Sequence, residues 1–197
     1  GIEDGVGVGQ HNRRGKTGEP SGASVAYTTP ALTHDTEIFG AGSANLWISS
    51  TAPDTDLQIT LTEVRPDGQE VYVGRGWLKA SRRTLGKARS TKLAPYQTYQ
   101  SGDVRMLTPG QPTRVRVQLF PVDYVFRAGS RLRLWIDAPT GQTGGWLLNF
   151  LNVPAINSIY ADPHHPSAIV LGRLSGAHAE APRAKCDTVL NEPCRAA

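Results

Sequence analysis

The clearest pattern in the chain is a strict alternation of apolar and polar residues between Thr113 and Ala138. In its first part, residues 115–119 carry valine or leucine at every second position, next to Arg114 and Arg116. In its last part, residues 131–136 repeat the alternation with Arg131 and Arg133. Alternate side chains of a strand point to opposite faces. The stretch therefore predicts two half-buried strands, each with one apolar and one basic face.

A connector is predicted between these two strands, because residues 120–130 contain Pro121, Asp123 and the turn Ala128-Gly129-Ser130. If the two strands pair, the four arginines form one basic stripe. Such a stripe is either a solvated face, with arginine stems covering apolar surface, or a contact face for an acidic partner domain. The sequence leaves both interpretations open.

Shorter alternating runs occur at regular spacing on both sides of this stretch. Gly40-Ala41-Gly42 is predicted to end one run, and Pro66-Asp67-Gly68 is predicted to turn the chain between two others. No segment of helical length keeps a 3.6-residue period, so helices should be few and short. The pattern predicts an all-β fold, an antiparallel β-sandwich or barrel. The remaining runs are residues 24–28, 34–39, 45–49, 57–62, 70–73, 146–150, 158–160 and 168–171.

The length of 197 residues is ordinary for a single all-β domain. We expect a glycine-rich arm or linker at residues 1–23, the β-sandwich at 24–174 and an irregular polar tail at 175–197. The long basic segment 78–112 is either a solvated loop or an arm that docks on another domain or subunit. No apolar run is long enough to span a membrane. The chain starts at Gly1, as expected of a processed product or an excised segment.

The net charge of +4 is mildly basic and predicts only weak attraction to nucleic acid, so no nucleic-acid partner is expected. Two cysteines, Cys186 and Cys194, lie in the tail at a spacing unlike that of redox or zinc pairs. They predict a disulfide that closes a small loop, which favours an extracytoplasmic or secreted protein. Free thiols in a cytoplasmic protein are the alternative.

Motifs for chemistry are absent from the sequence. The nearest string to a hydrolase nucleophile elbow, Gly22-Ala23-Ser24-Val25-Ala26, lacks the second glycine and begins a predicted strand. Gly15-Lys16-Thr17 lies at the wrong distance from Gly9 for a phosphate-binding loop. We therefore predict no catalytic residue and no cofactor.

The segment from Asp162 to Ser167 contains the densest set of metal-ligand residue types, with His164 next to His165. A metal site would need a distant third ligand such as His34 or Asp35. The neighbouring prolines instead predict an exposed turn with solvated histidines, and no metal is expected.

Aromatic residues at Trp77, Tyr96, Tyr99 and Trp146 are candidates for a ligand or interface surface. Tryptophan and tyrosine combine a flat apolar face with a polar edge, which suits carbohydrate stacking as well as protein interfaces. Packing in the core or beneath a loop is the alternative, especially for Trp135, which is out of phase with the apolar face of its strand.

Several longer blocks follow one another in a characteristic order between residues 24 and 174. They resemble the C-terminal domain of X-prolyl dipeptidyl-peptidases and cocaine-esterase-type acyl hydrolases. The blocks are Asp54-Thr55-Asp56-Leu57, residues 61–68 (LTEVRPDG), residues 74–82 (GRGWLKASR), residues 120–134 (FPVDYVFRAGSRLRL) and residues 166–171 (PSAIVL).

This resemblance implies an antiparallel jelly-roll β-sandwich of the galactose-binding-like type. It also implies that the Ser-Asp-His triad belongs to an α/β-hydrolase domain that is missing from this sequence. In the family, the C-terminal domain packs on that catalytic domain, helps to wall the substrate pocket and can contribute to homo-oligomer contacts. The cysteine-bearing tail departs from the family pattern. A stand-alone module that binds carbohydrate or another ligand is the alternative.

Overall fold

The structure, a computed structural model, describes residues 22–139, 142–143, 146–147, 154–179, 181–183, 185 and 194–197. Strands dominate this part of the chain, with single-turn 3-10 helices at Ala80–Arg82 and Ser101–Asp103. The strands are β1 Ser24–Thr28, β2 Thr36–Ser50, β3 Asp56–Val64, β4 Gln69–Lys79, β5 Thr113–Phe126, β6 Arg131–Asp137, β7 Gln142–Thr143, β8 Trp146–Leu147, β9 Asn157–Tyr160, β10 Ala168–Leu174 and β11 Arg195–Ala196.

Two antiparallel sheets face each other across an apolar core. Sheet A has the strand order β1-β6-β3-β4-β11, and sheet B has the order β10-β2-β5, with β9 also paired to β2. The predicted all-β antiparallel sandwich with few short helices is therefore confirmed. The galactose-binding-like assignment and the domain limits stay predictions. The core includes Ala44, Leu46, Ile48, Leu57, Ile59, Leu78, Val115, Val117, Leu119 and Ile136.

Strand β2 corrects one prediction, because it continues through Gly40-Ala41-Gly42 instead of ending there. The glycines form an irregularity within the strand, where the pairing register with β5 shifts. Gly40 has a φ of +79°, which glycine adopts without strain. A Cβ on Gly42 would lie 2.8 Å from Leu171 Cδ2. Here the glycines permit a bulge and close packing of neighbouring strands.

Strand β5 corrects a second prediction, because it runs through Pro121 to Phe126 and absorbs most of the predicted connector. Leu119 pairs with Gly42 and Val122 pairs with Gly40, so one more residue lies between the partners on β5 than on β2. Pro121 falls within this bulge. A proline is tolerated there because a bulged residue has no regular ladder hydrogen bond to lose.

Strands β5 and β6 lie in different sheets and do not pair. Strand β6 lies between β1 and β3 in sheet A, whereas β5 pairs with β2 in sheet B. A turn at residues 127–130 carries the chain across the sandwich. The predicted basic stripe of Arg114, Arg116, Arg131 and Arg133 is therefore wrong.

The two sheets approach most closely where β4 passes β5. A Cβ built on Gly76 would lie only 1.9 Å from the backbone oxygen of Gln118. Any larger residue at this position would force the two backbones apart. Gly76 therefore allows β4 and β5 to pack closely, which closes this side of the sandwich. The opposite side, formed by β1, β6, β9 and β10, is more open.

Residues 80–112, which we call the excursion, fold back onto the sandwich. Leu107 enters the core and is 4% exposed. The Ser43 hydroxyl of β2 donates to the Lys92 carbonyl at 2.7 Å, and the Gln97 side-chain amide donates to the Arg116 carbonyl at 2.7 Å. The excursion thus covers part of the outer face of sheet B.

The described parts of the C-terminal tail return to the sandwich. The Asp35 carboxylate accepts hydrogen bonds from the backbone amides of Ala128 and Ala179, at 2.9 and 3.0 Å. Further along the chain, the backbone of Arg195 pairs with that of Glu70 on β4. This antiparallel pairing adds β11 to the edge of sheet A. The tail therefore contacts the sandwich at two separate places.

Candidate interaction surface

The arginines of β5 have different surroundings although they are two residues apart. Arg116 donates from Nε to Asn45 Oδ1 at 2.7 Å, and from Nη2 to the carbonyls of Thr91 and Lys92 at 2.5 and 3.0 Å. Desolvation, with repulsion from Arg114, lowers the pKa of Arg116 from its usual value. Arg114 itself is exposed. Arg116 therefore attaches the excursion to sheet B and is not part of an open basic face.

The arginines of β6 show the same division. Arg133 forms an ion pair of 2.9 Å with Glu70, whose side chain is fully buried. Glu70 also accepts hydrogen bonds from Trp135 Nε1 at 2.5 Å and from the Thr62 hydroxyl at 2.6 Å. Arg131 is exposed and donates to the Thr29 carbonyl at 3.3 Å. Trp135 is thus part of a polar cluster on the outer face of sheet A.

A second buried polar cluster connects the two sheets at one end of the core. Glu63 Oε2 accepts hydrogen bonds from Arg65 Nε at 3.1 Å and from the Tyr124 hydroxyl at 2.7 Å. Burial, reinforced by the Glu63 carboxylate, raises the pKa of Tyr124 well above its usual value. A phenol that stays protonated and hydrogen-bonded in this way is suited to hold the sheets together.

The predicted aromatic candidates belong to three different parts of the chain, namely β4, β8 and the excursion. Trp77 is half-buried, donates from Nε1 to Gln58 at 2.7 Å and packs edge-on against Phe120. Its indole N–H is therefore engaged within the protein. The Trp146 side chain lies outside the described residues. Carbohydrate binding at these residues stays a prediction.

The excursion presents the other two predicted aromatic residues, Tyr96 and Tyr99. The Arg89 guanidinium lies 3.8 Å from the centre of the Tyr96 ring, an arrangement that supports a cation–π contact. Tyr99 is 62% exposed and has a φ of 52°, an uncommon backbone conformation for a bulky residue.

Met106 is a third exposed residue of the excursion, with 53% of its surface accessible. Arg83 donates to the carbonyls of Arg105 and Met106, which attaches this part of the excursion to its beginning. Met106 is not among the residues predicted from the sequence, although a lone methionine in a polar segment was a usable signal. We call Tyr96, Tyr99 and Met106 the excursion surface.

The histidine segment forms a turn of its own. Asp162 Oδ1 accepts hydrogen bonds from the backbone amides of His164 and His165, and the His165 ring packs against Trp47. His34 lies near the other end of β2, about 40 Å away at roughly 3.3 Å per residue. The ligand convergence considered for a metal site is therefore wrong.

The part of the chain that the structure describes contains neither a metal-binding cluster nor a membrane-spanning helix. No group of three or more histidine, cysteine, aspartate or glutamate residues there could hold a metal ion. No helix in the same ranges is long and apolar enough to cross a membrane. Cys186 lies outside the described residues, so the disulfide with Cys194 stays a prediction.

Comparison with curated proteins reveals relatives among esterases. A serine esterase of Mycobacterium bovis is 33% identical over 133 residues, which cover 66% of this chain and 21% of the relative. The cocaine esterase of a Rhodococcus species is 27% identical over 157 residues, covering 75% of this chain and 25% of the relative. The chain thus spans about a fifth to a quarter of the length of these relatives.

Solved structures share the fold. A CocE/NonD family hydrolase from Staphylococcus aureus superposes with a TM-score of 0.71 at 20% identity, covering 77% of this chain and 30% of the hydrolase. The family model described as the X-Pro dipeptidyl-peptidase C-terminal non-catalytic domain matches residues 7–170. Because this match spans most of the chain, the protein belongs to the family of X-Pro dipeptidyl-peptidase C-terminal non-catalytic domains.

Proposed function

We propose that this chain is the accessory domain of a serine hydrolase, where it docks on an α/β-hydrolase catalytic domain and shapes its substrate pocket and assembly. The match to a non-catalytic family domain carries the proposal. The esterase relatives are four to five times as long as the region they share with this chain. The remainder leaves room for a separate catalytic domain.

The excursion surface supports docking because it combines exposed apolar side chains with a fixed backbone. Tyrosine and methionine are enriched in the centres of protein interfaces. Tyr99 keeps an unfavourable backbone conformation, and such strain is concentrated at functional sites. Hydrogen bonds from Thr98 to Thr84 and from Thr84 to Asp103 hold the segment around Tyr99 in place. Residues held in this way lose little conformational freedom on binding.

Calorimetric titration of the chain with the separately produced catalytic domain of its hydrolase tests this proposal. We expect saturable binding and a changed KM for ester hydrolysis by the complex. Tyr99→Ala and Met106→Ala should each weaken binding, by about 2 kcal/mol if they are central to the interface. Phe39→Ala is the matched control, since Phe39 is 53% exposed but lies on β2, outside the excursion.

Two outcomes would contradict the accessory role. One is the absence of binding at protein concentrations where the chain and the catalytic domain are both folded. The other is turnover of an Ala-Pro anilide or a simple aryl ester by the chain alone that a single serine replacement abolishes. Equal weakening by Phe39→Ala would contradict the excursion surface as the interface while leaving docking itself intact.

An extracytoplasmic location belongs to the same proposal and rests on the predicted Cys186–Cys194 disulfide. Thiol titration of the unfolded, unreduced protein from its native compartment should detect no free thiol. Two reactive thiols would instead favour the cytoplasmic alternative.

A further inference from the structure

An apolar cavity of about 250 Å³ lies on the open side of the sandwich, where β1 and β6 of sheet A face β9 and β10 of sheet B. Its deepest residues, Leu46, Leu61 and Ile136, belong to the buried core. Half-buried side chains from both sheets form its walls, and more exposed residues form its rim. The walls are Leu132, Leu134, Ile159 and Ile169, and the rim includes Tyr27, Thr28, Thr29, Ala161 and Ser167.

The cavity follows from the arrangement of the strands. Tyr27 pairs with Leu134 across β1 and β6, and alternation directs both side chains toward sheet B. Tyr27 nevertheless remains 43% exposed, because the facing edge of sheet B does not cover it fully. Within the part of the chain that the structure describes, the interior of the sandwich is therefore accessible from this side.

The lining is unsuited to a charged ligand. Among the described residues around the cavity, none carries a charged side chain. Three of the rim hydroxyls already have partners within the protein: Ser167 Oγ accepts the Trp47 backbone N–H at 2.9 Å, Thr28 Oγ1 accepts from Arg133 Nε at 2.8 Å, and Thr29 Oγ1 donates to the Pro30 carbonyl at 2.9 Å. A charge placed here would lose its hydration without gaining an ionic partner, which is strongly unfavourable.

The volume limits the size of a ligand. An engineered apolar cavity of about 150 Å³ stays dry and binds benzene. A cavity of about 250 Å³ with a comparable aliphatic lining has space for a somewhat larger group. We propose that this cavity is a binding site for an uncharged hydrocarbon group, either an aromatic ring system or a short alkyl chain. The proposal does not depend on docking to a catalytic domain.

Methyl-detected NMR of the whole chain tests the proposal with three probes: benzene and indole for aromatic groups, and n-octanol for alkyl chains. We expect saturable shifts of the Leu134, Ile159 and Ile169 methyl signals with at least one probe. Binding of the aromatic probes alone or of octanol alone would support the site and identify the source of the hydrocarbon group. Failure of all three probes to bind would overturn the proposal.

Filling the cavity provides the second arm of the test. Ala161→Leu adds volume at the rim and Ile169→Phe adds it at the wall, so each should weaken probe binding by about tenfold or more. Ala26→Leu is the matched control, because Ala26 is exposed on β1 and points away from Tyr27. Thermal unfolding verifies that each variant is folded. Unchanged binding in folded Ala161→Leu and Ile169→Phe would place the probes elsewhere and overturn the site.

Discussion

Strands β5 and β6 carry the same sequence pattern but perform different structural roles. Each alternates apolar residues with two arginines, and in each pair one arginine is exposed while the other is half-buried. On β5, Arg116 binds neutral acceptors, namely an asparagine side chain and two backbone carbonyls. On β6, Arg133 binds the fully buried carboxylate of Glu70. A local pattern thus specifies the strand and its faces but not the partner of each side chain.

The difference arises from what covers each sheet. The outer face of sheet B receives the excursion, whose backbone carbonyls accept from Arg116. The Arg133 site on sheet A instead has an acidic residue two strands away, on β4, which reaches across Thr62 of β3. Loss of the acceptor should therefore lower the free energy of unfolding much more around Arg133 than around Arg116. At Arg133, this loss leaves a charge without its counterion.

Glu70→Ala should have the largest effect. It removes the acceptor for Arg133, Trp135 and Thr62 together, and breaking a buried ion pair by deleting one partner costs about 3–5 kcal/mol. Urea denaturation should show this loss in the free energy of unfolding. Glu37→Ala, at a half-buried glutamate of β2, is the control and should cost about 1 kcal/mol or less. Similar losses in both variants would contradict a special role for the Glu70 cluster.

Arg116→Ala should cost less, about 1–3 kcal/mol, because it leaves neutral acceptors without their donor. Hydrogen exchange should show increased opening of residues 91–97 while the core strands stay protected. Arg116→Lys should not restore the excursion, since one ammonium group cannot reproduce the planar set of donors.

Arg114→Ala on the same strand provides the matched control for Arg116→Ala. Its exposed side chain predicts a change of less than about 0.5 kcal/mol. Equal opening of the excursion in both variants would contradict this role of the Arg116 hydrogen bonds. The effect would then come from the loss of one positive charge on β5.

Acidification should have the smallest effect on stability. It should act where Asp35 binds the turn that joins β5 to β6 and the tail. Hydrogen bonds from the backbone amides of Ala179 and Ala128 lower the pKa of Asp35 below 3.8. The resulting stabilisation is fully present above the ordinary pKa and is lost as the pH falls through the lowered value. Amide exchange at Ala179 should therefore increase selectively below pH 3.8, relative to the core.

Asp35→Asn should produce this loosening of the tail already at neutral pH and remove its dependence on pH. His178 Nδ1 lies 3.7 Å from Asp35 Oδ2, so His178→Gln is the control that isolates the carboxylate. Retention of the pH response in Asp35→Asn would assign it to another group.

Much of the fold was predictable because alternation and turn residues are local signals. The strand positions around Leu57–Thr62, Thr113–Leu119 and Arg131–Ile136 agree with β3, β5 and β6. The prediction was wrong at Gly40-Ala41-Gly42 and at Pro121, where residues typical of turns instead form a matched irregularity inside two long paired strands. Such a bulge needs both partners, and a single strand in sequence shows only one of them.

The candidate surface was less predictable than the fold. Tyr96 and Tyr99 were selected from residue type alone, but their exposure depends on how the excursion lies on sheet B. Met106 was not selected although it is the lone methionine of the sequence, and its exposure likewise depends on how the excursion lies. Glu70 carried no sequence signal, because its burial requires Arg133, Trp135 and Thr62 to converge from two other strands.

The sequence by itself determined the all-β class, the apolar face of each main strand and, through its motif blocks, the family. These properties depend on neighbouring residues and their order, which a sequence displays directly. Only the tertiary structure decided that β5 and β6 belong to opposite sheets, that their arginines bind different partners, and that the sandwich is open along β1 and β6. Those outcomes depend on contacts between residues distant in the chain, where burial and hydrogen-bond acceptors are fixed by packing.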